Sequence, residues 1–268
     1  LKTGRVGKFT LALATIIGII LFARTGLIPF IEQPTAFVQR LIKSEVTPEQ
    51  TLPDFKAIDD VTKKKATFFD FFRPMVIKEN NRVLAERKQI QSIIAHLEDG
   101  QPLTEAELYQ FSIIAKRYRL DADDISIKAL NKSLLKIDTV PMNLVLVQAA
   151  NESGWGSSRF SQQGNNFFGQ WCFSKGCGLV PLSRSEGLHH EVAKFDTPND
   201  SVIAYINNLN NNQAYGLFRS MRADLRAQHI TPTAEDLVYG LIHYSERKEA
   251  YIDELLQMLR HNEKLLQG

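Results

Sequence analysis

Glu152 is the residue from which chemistry can be argued. It closes the run MNLVLVQAANE at 142–152, apolar nearly throughout, and Gly154 and Gly156 of the following NESGWG stop the helix at once. A carboxyl group at the end of a buried helix is poorly solvated. That disfavours its charged form and raises its pKa, as a general acid working near neutral pH requires. Pairing with an arginine or capping a neighbouring loop is the structural alternative. Glu186 and Glu191, in the stretch 179–195, are the candidates for a second carboxylate, each equally readable as a solvated surface charge. Between them and Glu152 lies GNNFFG at 164–169, followed by Gln170 and Trp171. Asn166 and the glycines suit a tight turn, and Asn166 is also a candidate for substrate binding. The aromatic faces of Trp155, Phe167, Phe168 and Trp171 suit sugar rings, with a core role open for the phenylalanines and Trp171 the best groove wall. His189 and His190 precede Glu191 without an H-E-x-x-H spacing, so no metal site is expected. Nothing in this set calls for a cofactor.

These residues need a scaffold to hold them. Pro141 suits the first position of the helix that ends at Glu152, with Thr139 nearby as a cap. Residues 179–195 alternate short apolar stretches with Gly187 and read as a small hairpin. Upstream, residues 62–97 show helical spacing through Val76, Val83, Leu84, Ile90, Ile94 and Leu97, with Pro74 expected to interrupt or start a helix. Thr104 and Glu107 form a capping box before a second helix, and a third covers about 123–135. Residues 62–138 therefore read as a helical region without chemistry of its own, its cluster Phe68, Phe69, Phe71 and Phe72 being core. The C-terminal third is helical over 200–209, 233–245 and 251–266. Asn207, Asn208, Asn210, Asn211 and Asn212 are expected to end the first of these in a polar loop.

Composition narrows the class. The chain has 268 residues, 44% hydrophobic and 23% charged, which excludes wholesale disorder and a polytopic membrane protein. A formal charge of +2 argues against a dominant phosphate-binding surface, so no nucleic-acid partner is expected. Lys2, Arg5 and Lys8 precede an uncharged, mostly apolar run from Phe9 to Ala23, which is shorter than the ~20 residues that span a bilayer. Residues 1–31 read as a secretory signal or an uncleaved anchor touching the inner membrane, and 32–61 as a linker. The remainder is then exported to the periplasm or cell envelope. Cys172 and Cys177 either close a short loop in an oxidising compartment or remain a thiol pair.

QAANESGWGSSRF, GNNFFG, VAKFDTPNDSVIAYINNL and HYSERKEAYIDEL together resemble the glucosaminidase family of bacterial cell-wall hydrolases (glycoside hydrolase family 73). CFSKGCGLVP and the helical region before it resemble the Bax-type branch more closely. The resemblance implies an α+β, mainly helical, lysozyme-like catalytic domain with a small β-lobe over 139–268. It implies Glu152 as general acid and a second acid at Glu186, with Glu191 an alternative. It further implies Tyr244 and Tyr251 as the two tyrosines of the family's Y-x-x-x-x-x-x-Y segment, the first facing the cleft as a catalytic residue that would orient the N-acetyl group, the second binding substrate. Here that segment reads YSERKEAY, departing from the commoner Tyr-Ala-x-Asp-Pro form. The expected activity is endo-β-N-acetylglucosaminidase action on the glycan strands of peptidoglycan. A lytic transglycosylase and a non-catalytic wall-binding protein are the alternatives. Carboxyls about 5–5.5 Å apart retain the anomeric configuration and about 6.5–9.5 Å apart invert it, while the substrate's own N-acetyl oxygen offers a third route.

Overall fold

The structure, a computed structural model, describes residues 51–181 and 190–267. The apolar segment 1–31, the linker residues before 51, and Glu186 and His189 lie outside these residues. The residues read as the end of the linker are part of the fold. Asp54 caps a 3-10 turn at Phe55–Ala57, and the Phe55 ring is fully buried 5.2 Å from Phe68 and 6.1 Å from Phe71.

Helix α1 (Val61–Glu98) begins at Asp60, whose side chain accepts from the Lys63 N–H at 2.6 Å. It runs unbroken through Pro74, against expectation. Proline removes one hydrogen bond to the carbonyl of Asp70, but both Asp70 and Pro74 are on the exposed side, where water can serve that carbonyl. Phe68, Phe69, Phe72 and Val76 on the opposite side are buried and hold the helix on course. Gly100, with φ +66°, lies just past the end of α1, and the Thr104–Glu107 capping box starts α2 (Glu105–Tyr118) as expected. Ser126 caps the short α3 (Ile127–Ser133).

Helix α4 (Met142–Ser153) is the centre of the molecule: every residue from Leu144 to Ala150 is buried. It packs on α1 and on α9 (Glu249–His261). Pro141 is its cap residue, not its first helical one, and Thr139 does not cap it. The Thr139 hydroxyl accepts from Arg226 at 3.2 Å instead. Asn80 of α1 clamps the helix start in both directions, donating to the Val140 carbonyl at 2.8 Å and accepting from its N–H at 3.1 Å.

The chain leaves α4 through three consecutive residues with positive φ: Gly154 (+55°), Trp155 (+57°) and Gly156 (+73°). A tryptophan there is strained. Its ring is held by edge contacts to Phe68 and Phe69 at 5.7 and 5.3 Å, with Lys65 lying 5.1 Å above it. Helix α5 (Arg159–Gly164) then leads to a β-lobe of β1 (Trp171–Cys172), β2 (Gly178–Leu179) and β3 (Glu191–Ala193). The sheet is antiparallel in the order β1-β3-β2, with Trp171 opposite Val192 and Leu179 also opposite Val192. Cys172 and Cys177 are bonded.

Helix α6 (Pro198–Asn211) starts from a Thr197–Asp200 capping box and is longer than expected. Asn207, Asn208, Asn210 and Asn211 are inside it, and only Asn212 stands at its end. Asn210 is fully buried, donating to the Asp138 carbonyl at 3.0 Å and accepting from Arg222 at 2.9 Å. Arg222 belongs to α7 (Gly216–Ala227), a helix absent from the sequence reading. Helix α8 (Ala234–Leu237), a 3-10 stretch at Val238–Leu241, α9 and α10 (Glu263–Leu266) complete the chain.

A Cβ built on Gly156 would stand 2.3 Å from a Phe55 ring carbon, whereas one on Gly154 meets nothing within 4 Å. Gly154→Ala should therefore cost about 1 kcal/mol from its backbone conformation alone. Gly156→Ala should cost clearly more, with ~1–3 kcal/mol of overpacking added. Urea denaturation of the two variants measures the difference.

Candidate active site

Glu152 occupies the last turn of α4, one helical turn beyond Gln148 and on the same face. The negative end of the helix dipole disfavours a carboxylate there. Glu152 is half-buried, and its Oε1 accepts from the Tyr251 hydroxyl of α9 at 2.8 Å. The Tyr251 oxygen in turn accepts from Gln148 Nε2 at 2.8 Å, and Gln148 Oε1 accepts from the Tyr205 hydroxyl of α6. Three helices thus contribute to one line of hydrogen bonds ending at the carboxyl group. Gly169, with φ +64°, brings the following turn beneath the other oxygen, so that a Cβ on it would be 3.6 Å from Oε2.

Burial raises the Glu152 pKa above the usual carboxyl value. The Tyr251 hydrogen bond and the nearby Arg247 charge oppose that rise, and Glu254 adds to it. Arg247 is itself paired with Glu254 at 2.5 Å. Tyr205, Tyr244 and Tyr251 are pushed well above their ordinary value, chiefly by burial, and remain neutral phenols. Tyr244 stacks on Tyr251 with centroids 5.6 Å apart and planes 4° apart, and its hydroxyl donates to the Phe168 carbonyl at 2.8 Å. Both tyrosines of the YSERKEAY segment therefore reach the Glu152 site, Tyr251 by direct contact and Tyr244 by bracing Tyr251 and the GNNFFG turn.

The other expected site residues are placed differently. Phe168 is 1% exposed and stacked on Tyr205 at 4.1 Å, so it has no face for a sugar and is corrected to a core residue. Phe167 is likewise core, 4.6 Å from Phe72. Asn166 is also corrected from substrate binding. It is buried, donates to the Gln170 and Ala193 carbonyls, and accepts from the Phe168 and Gln170 N–H groups, which ties the turn to the β-lobe. Trp155 is wedged against α1 instead of standing as a free stacking face. Trp171 is 58% exposed, two residues beyond Gly169, and stacks on His190 at 4.2 Å.

Glu191 is buried, and its two oxygens accept from the Gly176 and Gly178 N–H groups at 3.0 and 2.8 Å. It braces the disulfide-closed loop, which corrects its reading as a second catalytic acid. Cys172, Cys177 and Glu191 cluster closely enough to ligate a metal, but the disulfide occupies both sulfurs. Sequence reasoning missed Gln148 and Tyr205. Gln148 did carry a signal, as a polar side chain inside an apolar run must find partners when buried.

The model of the glucosaminidase family, described as mannosyl-glycoprotein endo-beta-N-acetylglucosaminidase, matches residues 128–264. Protein bax of Escherichia coli is 32% identical over 217 residues, which is 81% of this chain and 76% of that protein. No solved structure matches. The fold is thus the α+β, mainly helical, lysozyme-like type with a small β-lobe. The chain belongs to the glucosaminidase family, in its Bax-type branch. This is a family of glycosidases related to peptidoglycan.

A carboxyl whose folded pKa lies above its unfolded one binds more protons in the folded state between the two values, so stability falls as pH rises through that window. Glu152→Gln keeps an acceptor for Tyr251 and abolishes the ionisation. The variant should melt above the parent protein at neutral pH, and the gap should close below the unfolded carboxyl pKa of about 4.3. Thermal denaturation between pH 3.5 and 7.5 checks this, and an equal gap at every pH would refute it.

Proposed function

We propose that the protein is an exported endo-β-N-acetylglucosaminidase that hydrolyses the glycan strands of bacterial peptidoglycan, with Glu152 as general acid. The observation that carries this reading is the Glu152 carboxyl itself, dry enough for a raised pKa and anchored through Oε1 by Tyr251, on a residue that is only half-buried. In the reaction the Glu152 proton passes to the glycosidic oxygen as the bond from that oxygen to the anomeric carbon breaks, and the bonding pair leaves with the oxygen. The oxocarbenium-like carbon is then captured by water, directly or after the substrate's N-acetyl oxygen has bonded to it. With Glu191 engaged in bracing the β-lobe, the second group is Glu186 or the substrate's N-acetyl oxygen. Trp171 supplies an exposed aromatic face for a sugar ring. Export is supported by the disulfide, which persists in oxidising compartments, and by the basic-then-apolar N-terminal pattern.

The test is digestion of purified peptidoglycan by the full chain and by Glu152→Gln, with the new glycan ends identified by mass spectrometry. New reducing N-acetylglucosamine ends are expected, formed ~10²–10⁴-fold more slowly by the variant. Anhydro-muramic ends would make the protein a lytic transglycosylase instead. Equal rates for both proteins would remove Glu152 from the mechanism. No cleavage by either, with both folded and binding the wall polymer, would leave a non-catalytic binding protein.

A further inference from the structure

Gln148 is fully buried, and the substrate cannot touch it. It is nevertheless the residue whose two ends decide how the Glu152 site is wired. An amide has one end that only accepts and one that only donates. The Tyr205 hydroxyl donates to Gln148 Oε1, so the NH₂ end is the one presented to Tyr251. The Tyr251 oxygen is thereby occupied as an acceptor, and its single proton is aimed at Glu152 Oε1. With Oε1 accepting, the carboxyl proton belongs on Oε2, the oxygen above the Gly169 turn.

We infer that Gln148, oriented by Tyr205, is a positioning residue that fixes the direction of the Tyr251 hydrogen bond and so holds the Glu152 proton on Oε2. This rests on the reading of Glu152 as the general acid. The same amide could sit turned over if Tyr205 accepted: Tyr251 would then give its proton to Gln148 and face Glu152 as an acceptor, drawing the carboxyl proton to Oε1. Tyr205 and Phe168 are stacked, so the ring that supplies the orienting hydroxyl is immobilised by the same GNNFFG turn that passes beneath Glu152. Donation from Gln148 also draws charge from the Tyr251 oxygen and strengthens that hydroxyl as a donor.

The charged and titratable groups around Glu152 are Tyr251 and Glu254 of α9, Arg247 before it, Tyr205 of α6, and Tyr215 and Tyr244. Of these, Tyr251 and Arg247 favour the ionised carboxylate, and Tyr251 is the one that Gln148 controls. Weakening that donor therefore moves the Glu152 titration upward in pH.

Two variants of the full chain separate this role from simple packing. Gln148→Met keeps the volume and removes both hydrogen bonds. Tyr205→Phe keeps the stacked ring and removes only the orienting donor. Each, once its fold is confirmed by circular dichroism, should show peptidoglycan cleavage about 3- to 10-fold slower at saturating substrate with KM little changed, because the Tyr251 bond to the developing carboxylate is weakened and not removed. The alkaline limb of the pH–rate profile should shift to higher pH. The carboxyl carbon of Glu152, followed by NMR titration, should show the same upward shift. In a Tyr251→Phe background neither substitution should move the titration further, because both act through Tyr251.

An unmoved Glu152 titration in folded Gln148→Met and Tyr205→Phe, or a full further shift in the Tyr251→Phe background, would overturn the inference. If the parent protein cleaves no peptidoglycan, the general-acid reading fails, while the NMR titration still decides whether Gln148 sets the Tyr251 bond.

Discussion

The structure is organised around the need to satisfy polar groups on a helix that has no wet side. From Leu144 to Ala150, α4 is enclosed, and a buried amide or carboxyl without partners would cost several kcal/mol. Gln148 and Glu152 stand on one face of it, and their partners must be delivered by other helices. Tyr205 comes from α6 and Tyr251 from α9, so the hydrogen bonds that make the interior tolerable also join the three helices and fix the carboxyl group. Stability and site geometry are here the same set of contacts. The exception is Glu152, whose desolvation raises its pKa and opposes its own ionisation.

A second constraint acts on the exit from α4. Gly154, Trp155 and Gly156 turn the chain through a conformation that side chains resist, and the strain at Trp155 is offset by the aromatic surface of α1. Phe55, Phe68 and Phe72 then meet Phe167 from the GNNFFG turn through the same cluster. The aromatic face of α1 is therefore the wall against which the turns on both sides of the site are set. Its loss would be felt at the turns that flank Glu152.

Among the described residues the three strands of the β-lobe have two or three residues each, too few to hold their shape by pairing alone. Covalent and polar devices replace a core there. The Cys172–Cys177 bond closes the loop, Glu191 gathers its backbone N–H groups, and Asn166 fastens it to the turn beneath Glu152. Polar residues that read as candidates for substrate chemistry are in this way consumed by architecture.

The residues legible in the sequence were those whose local pattern has one physical solution. An apolar run closed by two glycines placed a carboxyl at a buried helix end, and Thr104 with Glu107 could hardly do other than cap. Motif similarity reached further, to the family and to Tyr244 and Tyr251. What tertiary structure decided was the use of residues whose type admits several roles. Pro74 ends helices in isolation, yet aromatic packing on the far side of α1 carries the helix past it. The asparagine run reads as a loop until Asn210 finds Arg222 and the Asp138 carbonyl in the interior. Phe168, Asn166 and Glu191 look alike in sequence whether they face a ligand or a neighbour, because side-chain chemistry does not encode direction. Direction comes from the packing of distant segments, and so does the line from Tyr205 to Glu152. Gln148 and Tyr251 are 103 positions apart, a distance no local pattern spans.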